Sequence, residues 1–149
     1  MSYSVPFSVP ELSYEQSLKV LHDTKKFGIQ PLLESVEDML KELGNPDLYF
    51  KSVQIAGTNG KTSTSRYTAA LLKGEGLKTA LYTSPELISY TERMEINGSP
   101  VSEAAFAHGV SAAQVAGERV NAQRAALGER PYDITEFDLL TVAALVVFA

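Results

Sequence analysis

Residues 51–65 read Lys51-Ser-Val-Gln-Ile-Ala-Gly57-Thr-Asn-Gly60-Lys61-Thr-Ser-Thr-Ser65, and their reading decides the fold. Val53 and Ile55 suit a short buried strand, Gly57 and Gly60 bracket a tight turn, and Lys61, Thr62, Ser63 and Thr64 open a helix. A strand, a glycine turn and a helix N-terminus together make an anion site. Backbone N–H groups of the turn converge, and the first helical turn adds unpaired donors and the positive end of its dipole. Lys61 reaches terminal phosphates, and a hydroxyl at Thr62 or Ser63 can face the magnesium that accompanies ATP. The full pattern G-x-x-x-x-G-K-[ST] is not met, because Ile55 stands five residues before Gly60. The shorter G-T-N-G-K-T gains its meaning from its place between an apolar strand and a helix.

Working outward, Lys61 to about Lys73 reads as a helix closed by Gly74 and Gly76, with Ala69 and Ala70 small enough to pack on a sheet. Lys78 to Thr83 follows as a second strand. Strand, turn, helix and strand predict a right-handed βαβ unit with parallel strands, and so an α/β domain. Ligands of such sheets bind beyond the carboxyl ends of the strands. Ser84, followed by Pro85, Glu86 and Leu87, therefore either places a hydroxyl near the nucleotide's metal or is a plain serine-proline turn.

Asn97-Gly98 predicts a hairpin turn. Glu92, Arg93 and Glu95 taken alone read as a solvated surface, as do Arg119, Arg124 and Arg130. Ser102 caps an alanine-rich helix to about Ala126, and Thr135 caps a final one. Glu136 in its first turn either complements the helix dipole or ligates magnesium. Upstream, residues 1–12 form an extended lead-in. Ser13 with Gln16 opens a helix whose inner face carries Tyr14, Leu18 and Leu21. A second helix starts at Pro31 and stops at Gly44-Asn45-Pro46.

The 149 residues suffice for one domain with a real core, and 44% hydrophobic with 21% charged content is that of a soluble globular protein. The net charge of -5 argues against a general nucleic-acid or membrane-surface binder. Without cysteine, and with only His22 and His108, any metal should be a hard cation held by oxygens. No signal peptide is visible, so a cytoplasmic location is expected. Leu139–Ala149 is almost wholly apolar but too short to span a bilayer. It reads as a buried element cut short, which would expose apolar surface there.

These pieces resemble the folylpolyglutamate synthase/dihydrofolate synthase family of the Mur ligase superfamily. Four stretches carry the likeness: Leu21-His22 with Lys26-Phe27-Gly28-Ile29 and Leu33-Glu34; Ala56 to Lys61; Thr83-Ser84-Pro85 with Tyr90-Thr91-Glu92-Arg93 and Ile96-Asn97-Gly98; and Thr135-Glu136-Phe137. The resemblance implies a P-loop-type three-layer domain with a mainly parallel sheet, here truncated. Residues 1–50 would be its helical lead-in and residues 51–149 the first part of the ATP-binding domain. It implies an ATP-dependent ligase adding L-glutamate to folate or dihydropteroate, monomeric, with ATP and Mg2+ as its cofactors and no membrane or nucleic-acid partner.

Within that likeness, Gly57, Thr58, Asn59, Gly60, Lys61, Thr62 and Ser63 would hold ATP, with Lys61 catalytic. Ser84 and Glu136 would hold magnesium; Lys26, Phe27, Gly28, Ile29 and Pro85 would border the folate. The chain departs from the family at Thr62, where glycine is frequent, and at Glu86, where histidine is usual. Two other readings remain: a ligase acting on a cell-wall precursor, which Thr62 favours, and a nucleotide-binding module without catalysis.

Overall fold

In a computed structural model the chain is described over residues 2–24 and 33–149. Among the described residues there are five α-helices: α1 Tyr14–Thr24, α2 Leu33–Glu42, α3 Lys61–Gly74, α4 Glu103–Ala126 and α5 Glu136–Phe148. Three short strands, β1 Ala80–Tyr82, β2 Met94–Ile96 and β3 Ser99–Pro100, form a sheet in the order β1-β2-β3.

Helices α1, α4 and α5 begin where their caps predict; the start expected at Pro31 lies outside the described residues. Ser13 donates its N–H to Gln16 Oε1 at 2.8 Å while its hydroxyl accepts from Gln16 N, which starts α1. Ser102 Oγ accepts from Ala105 N at 3.1 Å ahead of α4. Thr135 and Asp138 exchange two hydrogen bonds, of 3.0 and 3.2 Å, to open α5. Ahead of α1 the chain is extended, and Tyr3, Val5, Phe7 and Val9 alternate onto the core. Tyr3 Oη donates to Leu43 O at 2.9 Å, and Ser111 Oγ donates to Pro10 O at 2.7 Å.

The core is helical. α5 packs along α4, with α1 and α2 laid across them; Phe106, Val110, Ala112, Ala113, Leu140, Val142 and Ala143 are wholly or almost wholly buried. The apolar stretch from Leu139 is therefore a core helix. Among the described residues no helix is long and apolar enough to cross a membrane. Exposed apolar surface lies elsewhere than expected: α3 buries none of its residues, and Tyr67 and Leu71 are each 72% exposed.

Close approach of α4 and α5 depends on Gly109. A Cβ there would lie 2.7 Å from Val147 Cγ2 and 2.9 Å from Ala143 O, a backbone atom that cannot step aside. At Gly117 the nearest neighbour is the mobile tip of Ile134 at 2.5 Å. Gly109→Val should destabilise the protein by about 1–3 kcal/mol through overpacking. Gly117→Ala should change stability little, since the roughly 1 kcal/mol gain in helix propensity offsets a rotamer change at Ile134. Urea melts of the two variants check the contrast.

The rim of α2 and α4 carries charged pairs where a solvated face was expected. Asp38 accepts from Lys41 Nζ at 2.9 Å and Tyr132 Oη at 3.0 Å; Glu42 accepts from Arg119 and from Gln123. Arg124 lies 3.9 Å over the Tyr132 ring. The Lys41 hydrogen bond holds the Asp38 carboxyl below its ordinary value, and the Arg119 hydrogen bond does the same for Glu42. Carboxyls depressed in the folded state contribute stability above their unfolded pKa and lose it as pH falls through the folded value. Asp38→Asn should therefore flatten the acid limb of the stability–pH curve, below the ordinary carboxylate range.

The sheet departs from expectation. Residues 51–57 form no strand, and Val53 is 74% exposed. β1 pairs antiparallel with β2, in the register Ala80↔Ile96, Leu81↔Glu95 and Tyr82↔Met94, and no parallel pair forms among the described residues. The βαβ expectation is thus corrected. β-branched residues favour a strand only beside a ladder partner, and residues 51–57 have none here. The 97–98 turn, in contrast, closes β2 on β3 locally. Asn97 and Gly98 adopt φ 51° and 80°, the left-handed pair that a two-residue hairpin demands.

Candidate functional site

Gly60 has φ 77° and sits as the N-cap of α3, with no side chain capping the first turn. That backbone conformation is what requires glycine, for a built Cβ would meet nothing within 4 Å. Lys61 Nζ donates back to Gly57 O, and at 3.4 Å to Thr58 O, so its charge hangs over the turn. Thr58, Asn59, Thr62 and Ser63 are exposed around it. An open turn with uncapped N–H groups and a lysine charge fits a phosphate chain.

Two contacts orient this turn. Arg66 Nη1 pairs with Glu95 Oε1 at 2.7 Å, and Lys73 Nζ donates to Asn97 O at 2.8 Å. Glu95 lies opposite Leu81, and Asn97 N bonds Thr79 O. Moving toward the N-terminus of α3 therefore means moving along β1 toward its carboxyl end. The glycine turn and Ser84, two residues past β1, face the same end of the molecule. Glu95 is almost buried in this pairing, so it is not the solvated charge that its sequence suggested.

Ser84 and Pro85 are exposed, joined by a cis peptide bond. Glu136 is linked to the segment before Ser84 by a chain of contacts. Thr83 N bonds Arg93 O at 3.0 Å, the Arg93 guanidinium lies 5.3 Å over the Tyr90 ring, and Tyr90 Oη donates to Glu136 Oε1 at 2.6 Å. Arg93 also pairs with Glu86, so the unusual carboxylate at Glu86 faces a guanidinium. The exposed His22 meets Tyr90 in a T-shaped contact, with ring centroids 6.2 Å apart. Burial pushes the Tyr82 phenol up, against the opposing pull of the Thr141 hydroxyl and the Arg93 guanidinium.

Among the described residues no three His, Cys, Asp or Glu side chains cluster. Of the residues named from the likeness, Ser84 offers an exposed hydroxyl and Glu136 a carboxylate. An oxygen-only set this small fits magnesium, which keeps waters and takes phosphate oxygens as its remaining ligands. Lys26, Phe27, Gly28 and Ile29 lie outside the described residues.

From the sequence, Tyr90 is named only within the family likeness, Arg93 there and among the surface charges, and Glu86 as a departure from the family, none of them with a contact. A run of mixed charges carries no mark of burial, and the partners of Tyr90 and Arg66 lie 46 and 29 positions away.

No family model matches the chain. Curated relatives do. The dihydrofolate synthase/folylpolyglutamate synthase of Bacillus subtilis is 30% identical over 138 residues, 92% of this chain and 30% of the relative. A probable bifunctional folylpolyglutamate synthase/dihydropteroate synthase of Halobacterium salinarum is 36% identical over 93% of this chain and 16% of the relative. Among solved structures, folylpolyglutamate synthase of Mycobacterium tuberculosis, complexed with ADP and AMPPCP, superposes with TM-score 0.77 at 32% identity. That match covers 91% of this chain and 29% of the other. The Lactobacillus casei synthetase gives 0.80 at 29% identity, over 92% and 33%. The chain thus spans about 30% of the Bacillus relative's length. Over the stretch that aligns, the chain belongs to the folylpolyglutamate synthase/dihydrofolate synthase family.

Proposed function

We propose that this chain supplies the nucleotide end of an ATP-dependent ligase that joins L-glutamate to folate or dihydropteroate. The observation that carries the reading is the glycine turn with Lys61 folded over it, at the end of the molecule where Ser84 follows β1. Membership of the family supplies the substrate class.

In this reading the terminal carboxylate of the pterin substrate attacks the γ-phosphorus of ATP, giving an acyl phosphate and ADP. The amine of L-glutamate then attacks the acyl carbon, the amide forms, and phosphate leaves. Backbone N–H groups of Thr58 to Lys61 bind the phosphates, and the Lys61 ammonium neutralises charge that grows on the transferring group. Ser84 and Glu136 hold magnesium, which when bound draws charge from the phosphate oxygens. No protein nucleophile is required. Lys26 to Ile29 and Pro85 border the folate, residues 1–50 are the lead-in, and residues 51–149 begin a three-layer ATP-binding domain. The relatives carry much more chain than the region matched, and turnover needs that remainder.

The test follows ADP release by the full-length protein with ATP, magnesium and L-glutamate, comparing dihydropteroate, tetrahydrofolate and a cell-wall precursor. Turnover with a pterin is expected. Turnover with the cell-wall precursor alone would move the protein to the other ligase class, and ATP binding without turnover would leave a regulatory module.

A further inference from the structure

We infer that Tyr90 is a positioning residue for Glu136, and that its hydroxyl sets the direction in which this carboxylate meets a divalent cation. The inference rests on the reading of Glu136 as a metal ligand. The bond of 2.6 Å from Tyr90 Oη to Glu136 Oε1 has the length of a charge-assisted O–H···O⁻ bond, roughly twice as strong as a neutral one. Glu136 lies in the first turn of α5, where the Thr135–Asp138 box fixes the backbone and leaves the side chain to be aimed by its partners.

Tyr90 is held firmly enough to do this. It begins a one-turn 3-10 helix, Tyr90–Arg93, capped by Ser89; Glu92 accepts there from Ser89 N at 3.1 Å and Leu87 N at 3.0 Å. α1 pins the same turn through the Tyr14 and Ser89 hydroxyls, 3.0 Å apart. The Tyr90 ring packs 6.3 Å from Phe106 of α4, with Arg93 across it. Three elements thus fix the phenol before it reaches Glu136. Hydrogen-bond partners of metal-binding carboxylates act in this way, and their loss typically costs about 10–100-fold in metal affinity.

The test uses Tyr90→Phe, which keeps the ring and its packing and removes only the hydroxyl. Mn2+ binding to the full-length protein with ADP, titrated by electron paramagnetic resonance, should weaken about 10-fold or more. The melting temperature and the KM for the pterin should stay near their original values. In a Glu136→Gln background the same change should have no further effect. If Glu136→Gln weakens Mn2+ binding while Tyr90→Phe leaves it unchanged, the positioning role is overturned and the metal site stands. Equal weakening in both backgrounds also overturns it, since Tyr90 would then act independently of Glu136. If Glu136→Gln leaves Mn2+ binding unchanged, the metal reading itself falls.

Discussion

Lys61→Ala should lower the rate of ADP release by the full-length protein about 100- to 1000-fold, the range seen when one preorganised charge or donor at a developing negative charge is removed. The expectation follows from what Lys61 touches. Its side chain is exposed, and its Nζ bonds the carbonyls of Gly57 and Thr58 in its own turn, so no core contact depends on it. Stability should accordingly stay within about 0.5 kcal/mol, the usual range for surface changes. A fall in activity without a fall in melting temperature separates loss of chemistry from loss of fold. Retained turnover in Lys61→Ala would remove the central residue of the proposed phosphate site. Lys61→Arg is a sharper control. It keeps the charge but replaces a compact ammonium with a planar fork, so activity should be recovered only in part.

Phe106→Ala should cost about 3–5 kcal/mol of stability, the range for truncating a buried aromatic ring. Phe106 is fully buried on α4 and meets the edge of Tyr14 at a ring distance of 5.6 Å and Tyr90 at 6.3 Å. Its removal leaves a void between α1, α4 and the 90–93 turn. Denaturation in urea should show a lower midpoint. The effect reaches the site, because the same ring supports the phenol that bonds Glu136. Phe106→Leu, which fills most of the void, should restore most of the stability. If Phe106→Ala left the midpoint unchanged, the helical core would not be centred where it stands here.

How much was legible in the sequence depends on how far apart the partners lie. The capping pairs of Ser13 with Gln16 and the Ser102 cap act within three residues, and both were readable as short patterns. The Asn97-Gly98 turn needed only two residues with φ above zero. The anion site proposed at Gly60 and Lys61 likewise rests on contiguous backbone. Glu136 was named as a candidate, yet its dipole and metal roles could not be separated. Its hydrogen-bond partner Tyr90 is 46 residues distant, beyond any local pattern. Arg93 and Glu86 lie seven apart, but the ring stacked beneath Arg93 becomes visible only in three dimensions.

By itself the sequence determined the starts of α1, α3, α4 and α5, the glycine turn, the hairpin and the likeness to the folylpolyglutamate synthase/dihydrofolate synthase family, because each rests on neighbouring residues or on an ordered run of motifs. Tertiary structure alone decided the rest. Val53 and Ile55 have strand chemistry but no ladder partner, so they form no strand, and β1 pairs antiparallel with β2. The run from Leu139 was opened as a helix by the Thr135 cap, but its burial came only from the fold. It lies against α4, where Gly109 lets the two backbones approach. A strand pattern states which residues could pair; only the fold supplies the neighbour that satisfies their N–H and C=O groups.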